Sequence, residues 1–141
     1  MTVPPSRGTL RGQEGERTVR NITLEAVYRH AYRGEVAPYP FQRAVAENPG
    51  ADILIAPTGL GKTAAVTLGW AWRRLTASAT TPRRLVWCLP MRTLVEQIAR
   101  EAEGWMNNLG EMFAKDNRKP NVHVLMGDAV DGDWRLQPED S

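Results

Sequence analysis

Ala56-Pro57-Thr58-Gly59-Leu60-Gly61-Lys62-Thr63 decides how the rest of this chain is understood. It follows a short apolar run, Asp52-Ile53-Leu54-Ile55-Ala56, of the kind that makes a strand buried on both faces. It precedes a stretch, Thr63 to Ala77, with helical spacing, in which Ala65, Leu68, Trp72 and Leu75 share one side. A glycine-rich turn between a buried strand and a helix start is where a phosphate-binding loop must sit. Glycines let backbone N–H groups turn inward without side-chain obstruction, and the positive end of the helix dipole adds to them. In that arrangement Thr58, Gly59, Leu60, Gly61, Lys62 and Thr63 cradle phosphate oxygens. Lys62 reaches the β and γ phosphates, and the Thr63 hydroxyl ligates Mg²⁺. Ala56 stands where the strict G-x-x-x-x-G-K-[ST] pattern has its first glycine. The plain alternative is a Gly-rich turn that precedes a helix. The pattern indicates a nucleoside triphosphate and leaves the reaction open.

Working outward, Tyr39-Pro40-Phe41-Gln42 lies upstream of the loop. The Gln42 carboxamide offers a donor and an acceptor together, which matches the N6 and N7 edge of adenine, and Phe41 can pack near a base. Taken alone, a glutamine here also fits an ordinary surface position. Phe41 to Glu47 predicts a short helix, and Ile22 to Tyr32 predicts another, with Leu24, Val27, Tyr28 and Ala31 at helical spacing. Residues 1–20 carry Gly, Pro, Arg and Glu without periodicity and predict a flexible tail. The remainder, 21–141, reads as part of one domain.

Downstream, Leu85-Val86-Trp87-Cys88-Leu89 is a second buried-strand run, ended by Pro90. Thr93 and Glu96 have capping-box spacing at the start of the next helix, whose inner stripe is Leu94, Ile98, Ala102 and Trp105. Asn107 to Pro120 predicts a frayed helix and a loop. Val122-His123-Val124-Leu125-Met126 predicts a third strand, stopped by Gly127. Strand, helix, strand, helix, strand is the order of a parallel α/β sheet with crossover helices.

Composition sets outer bounds. The chain has 141 residues, 42% hydrophobic and 24% charged, which is ordinary globular composition. No apolar run approaches the ~18 residues of a membrane span, and the first twenty residues contain no secretory apolar core. A single cysteine, Cys88, excludes an internal disulfide framework, and the two histidines, His30 and His123, are too far apart to suggest a ligand pair. The expectation is a reducing, cytoplasmic setting. Net charge is only +2, so charge alone does not establish a nucleic-acid partner, although 15 of the 18 basic residues are arginine. Trp70, Trp72, Trp87 and Trp105 lie on elements expected to pack, which favours core placement over base stacking. Cys88, in a buried strand, is expected to be an inert small hydrophobe. Trp134 falls in a loop.

Ala56 to Thr63 resembles motif I of superfamily-two helicases, which accept alanine at the first position, and Phe41-Gln42 resembles their adenine-reading motif. Leu89-Pro90-Met91-Arg92-Thr93-Leu94-Val95-Glu96-Gln97 is similar to motif Ia, with wording close to that of the CRISPR-associated helicase–nucleases of type I systems. Val124-Leu125-Met126-Gly127, followed by Trp134 and Pro138-Glu139, is similar to the same branch, although Asp128 stands where that family usually has a second glycine. The resemblance spans roughly residues 38 to 139. It implies a RecA-like P-loop domain, ATP and Mg as cofactors, and single-stranded DNA as a partner. It further implies an RNA-guided CRISPR surveillance complex and the remaining helicase and nuclease domains as partners. Physically, a helix starting near Thr93 aims free amides and a hydroxyl above the sheet edge, and Arg92 adds a cation suited to a nucleic-acid backbone. The residues alone equally allow a solvated Arg92 and a Thr93 that caps only its own helix.

The DExH sequence that supplies the catalytic carboxylates in this family is not found in these residues, so no catalytic set is complete. A rival assignment puts Asp128 near Mg²⁺, but no glutamate follows it. The chain therefore reads as the first part of a helicase, ending before motif II. The resemblance places the strands of motifs II and III between the motif I and motif Ia strands, so the sheet is expected to be incomplete and stability poor. Two other readings stand beside this one. One is a truncated, non-catalytic nucleotide- or nucleic-acid-binding module. The other is a compact P-loop kinase or ATPase, which would require catalytic carboxylates and an acceptor site within the chain.

Overall fold

A computed structural model describes residues 21–50, 53–113, 119–126 and 129–130. The expected tail at 1–20, Asp52, Gly127, Asp128, Trp134, Pro138 and Glu139 lie outside the described residues. Four helices carry the architecture: α1 (Leu24–Tyr32), α2 (Pro40–Glu47), α3 (Lys62–Thr76) and α4 (Arg92–Asn108). Two short strands follow, β1 (Leu125–Met126) and β2 (Ala129–Val130), paired antiparallel.

Helix α1 starts where Thr23 accepts the Ala26 N–H at 3.2 Å, satisfying one of the free first-turn amides. It ends at Arg33, which takes the left-handed conformation (φ 52°) and donates its N–H to Arg29 and His30 carbonyls. Leu24, Val27, Tyr28 and Ala31 are buried, the stripe that the spacing predicts. This face packs on both α3 and α4. Two polar ties fix it there: Trp72 Nε1 donates to the Ile22 carbonyl at 2.8 Å, and Asn108 Nδ2 donates to the Ala31 carbonyl at 2.7 Å. Arg43 of α2 pairs with Glu25 of α1. The core is the space among the helices, filled by Val27, Tyr28, Leu68, Trp70, Leu75, Trp105, Met106, Leu109 and Phe113.

The parallel sheet expected from sequence is not seen. Among the described residues, 53–57 and 85–89 join no ladder, and the only strand pairing is the antiparallel β1–β2 contact. The residues expected to be buried on both faces are largely open: Ile53 is 79% exposed, Ile55 91% and Val86 75%. Leu85 and Val122 touch the helical core from one side. A strand cannot satisfy its backbone within its own segment, so an apolar run without a neighbouring strand stays outside.

Three further expectations need correction. Trp87 and Cys88 are exposed, because the segment carrying them is not enclosed. Thr93 and Glu96 form no capping box: α4 begins two residues earlier than that spacing requires, its N-cap is Met91 without a side-chain cap bond, and Glu96 instead accepts from Arg92 Nε at 3.1 Å. The inner stripe of α4 is buried only at Ala102, Trp105 and Met106, while Leu94 is exposed and Ile98 half-buried. Among the described residues, little covers the first half of α4.

Candidate nucleotide site

Residues 56–61 form a loop that ends at the α3 N-cap, Gly61, and Lys62 and Thr63 open the helix. Gly59 (φ 83°) and Gly61 (φ 78°) both adopt the left-handed backbone that side chains resist. At Gly61 a second constraint applies, since a Cβ there would lie 2.7 Å from Gln42 Nε2. No side chain caps α3, so its first-turn amides are left to an external acceptor. Thr63 is half-buried in that first turn, and Thr58, Gly59 and Leu60 are exposed. The Lys62 ammonium folds back over the loop and donates to the Ala56 carbonyl at 2.8 Å and the Pro57 carbonyl at 3.0 Å. Two glycine turns, free amides, a lysine lying across them and a hydroxyl in the first helical turn fit a triphosphate with its divalent cation. A bound cation there would offset phosphate charge, and the Thr63 hydroxyl in the first turn of α3 is a side chain that could ligate it.

Gln42 is 4% exposed, which rules out the surface position that the sequence left open. It is the third residue of α2, and its Oε1 accepts the Tyr39 N–H at 2.8 Å, one half of a capping box. Its Nε2 donates to the Gly61 carbonyl at 3.0 Å and lies 3.5 Å from the Leu60 carbonyl. The structure therefore brings Gln42 onto the loop, nineteen residues away in sequence. A carboxamide has two N–H groups and two lone pairs on its oxygen. Holding Tyr39 uses one lone pair, and the Gly61 and Leu60 carbonyls face the NH2 group, so one acceptor position on the amide oxygen remains. Tyr39 and Phe41 stack beside it, ring centroids 6.2 Å apart and 11° from parallel.

Arg92 and Thr93 are exposed at the start of α4, which touches α3 only slightly. The exposed Arg92–Glu96 pair, one helical turn apart, is worth only ~0.3–0.5 kcal/mol and costs little to displace. Two contributors were not found from sequence. Gly69 lets α2 approach α3, since a Cβ there would lie 3.1 Å from Ala46 Cα and Cβ. Arg73 donates from α3 to the last carbonyls of α2. A glycine in the middle of a helical pattern was the one available signal. No His, Cys, Asp and Glu cluster able to hold a metal by itself occurs among the described residues.

A glycine-rich loop opening a helix, with a lysine and a hydroxyl at its end, defines a P-loop nucleotide-binding domain. The DEAD/DEAH box helicase family model matches residues 39–131, from the residue whose N–H Gln42 holds to the β1–β2 region. The chain belongs to that family. That family's RecA-like α/β domain is the ATP-binding portion of nucleic-acid helicases. No curated protein and no solved structure matches the chain. No helix among the described residues is long and apolar enough to cross a membrane.

Proposed function

We propose that this chain is the ATP-binding N-terminal portion of the first RecA-like domain of a DNA helicase acting in CRISPR interference. In that reading Thr58, Gly59, Leu60, Gly61, Lys62 and Thr63 hold the triphosphate, Thr63 takes part in Mg²⁺ binding, and Gln42 reads adenine. Arg92 and Thr93 contact the backbone of single-stranded DNA. The observation that carries the nucleotide assignment is the junction of Gln42 with Gly61, which puts a base-reading carboxamide beside the phosphate loop. The CRISPR branch rests on the wording of residues 89–97 and 124–127, with an RNA-guided surveillance complex and further helicase and nuclease domains as partners. Hydrolysis requires carboxylates from a DExH sequence and an arginine from a second RecA-like domain, so these 141 residues bind nucleotide without turnover.

Calorimetric titration with ATP·Mg checks the first part. Lys62→Ala is expected to weaken binding by at least about tenfold, the scale of a lost charge-assisted hydrogen bond. Unchanged affinity would overturn the site. Lys62-dependent ATP hydrolysis by this chain would refute the non-hydrolytic part alone. For the nucleic-acid part, Arg92→Ala should reduce binding of a single-stranded oligonucleotide and lower its salt dependence.

A further inference from the structure

Gln42 stands near one end of a short lever. Helix α2 has eight residues, too few to hold itself in water, and none in its last turn is basic. The carbonyls at that end are taken instead by Arg73 of α3, whose Nη1 donates to Ala46 at 2.5 Å and lies 3.4 Å from the Val45 carbonyl. One turn earlier on the same face of α3, Gly69 is buried against Ala46, with no room for a larger residue at the present spacing. So Gly69 sets the distance between the helices and Arg73 holds the C-terminal end of α2. The N-terminal end meets the phosphate loop through Gln42. Ala46 and Gln42 are one helical turn apart, about 6 Å, so a displacement at one end reaches the other almost undiminished.

We propose that Gly69 and Arg73 are positioning residues for base selectivity: by fixing α2 on α3 they hold the Gln42 carboxamide in the one orientation that pairs with a 6-aminopurine. The inference rests on the nucleotide-binding reading and deepens it. The Tyr39 N–H and the Gly61 carbonyl fix which end of the amide is oxygen and which is nitrogen. Adenine presents a donor at N6 and an acceptor at N7, whereas guanine presents acceptors at both O6 and N7. A fixed amide oxygen therefore pairs with ATP and faces a lone pair in GTP. The phosphates are held by α3 and its loop, whose turns are set by Gly59 and Gly61, so a shift of α2 acts on the base more than on the phosphates.

The test uses the full chain and three ligands: ATP·Mg, GTP·Mg and inorganic tripolyphosphate·Mg. The wild type should prefer ATP over GTP. Arg73→Ala should cut that preference by about tenfold while tripolyphosphate affinity stays the same. Arg73→Lys, which keeps a donor for the α2 carbonyls, should restore most of it. Gly69→Ala pushes Ala46 away by a few tenths of an ångström and should shift the ratio the same way to a smaller extent. It also serves if Arg73→Ala loses its helical circular-dichroism signal. An unchanged ATP:GTP ratio in both variants, or an equal loss for all three ligands, would overturn the positioning role. Loss of the nucleotide reading has a different signature: Lys62→Ala would then leave tripolyphosphate and ATP affinity where they were.

Discussion

The apolar segments at 53–57 and 85–89 are denser in large hydrophobic residues than the four helices, yet it is the helices that are buried. Leu68 on α3 is 0% exposed, while Ile55, seven residues before α3 begins, is almost fully open. The difference lies in the backbone. A helix satisfies its N–H and C=O groups within its own segment, so it needs only a neighbour for one face. A strand must first find another strand, and burying it without one would leave polar groups unpaired at a cost of a few kcal/mol each. The helical layer can therefore condense locally, whereas the sheet side waits for partners that the described residues do not supply.

The sharpest way to break this comparison is a pair of truncations measured by chemical denaturation. Leu68→Ala should cost ~2–5 kcal/mol, much of what a domain of this size possesses, because it opens a cavity between α3 and its neighbours. Ile55→Ala should move stability by less than ~0.5 kcal/mol, as expected of an exposed site. Equal effects would mean that the 53–57 segment is enclosed in solution. Cys88 provides a second probe. Its thiol should react with a disulfide reagent within about tenfold of the rate in denaturant, and protection well beyond that would show a paired, covered 85–89 segment.

Tyr28 sharpens the comparison from the helical side, with the smallest effect. Its hydroxyl is buried and finds no hydrogen-bond partner among the described residues. Burial, followed by the nearby Tyr32, raises its pKa well above the ordinary 10.0. Above that pH the unfolded chain loses the phenolic proton while the folded chain keeps it, so stability falls as pH rises, by up to ~1.4 kcal/mol per unit. Below that pH the contribution is complete. Tyr28→Phe should flatten the alkaline decline and leave neutral stability unchanged or raised by ~1 kcal/mol. A loss of ~1 kcal/mol in the variant at neutral pH would show that the hydroxyl is satisfied after all.

The helices were legible in sequence to within one or two residues, because spacing alone reveals an amphipathic face. The loop ahead of α3 was legible for a similar reason, since Gly59 and Gly61 at the start of a helical pattern are a local signal for its left-handed turns. Local signals misled at Thr93 and Glu96. Their spacing suits a capping box, but α4 starts at Arg92, and Arg92 engages Glu96 instead. Trp87 and Cys88 misled because an apolar run reports a preference for burial and says nothing of whether a cover exists.

By itself the sequence determined the helical segments, the left-handed glycine turns of the loop and the residues that end it, all features set by neighbours a few positions apart. Only the tertiary structure decided that Gln42 lies on Gly61, that Gly69 admits Ala46 to close contact and that Arg73 closes the far end of α2. Those contacts join residues 19 to 28 positions apart. They depend on which helix faces pack together, a choice made by the shape of the core and invisible to local periodicity.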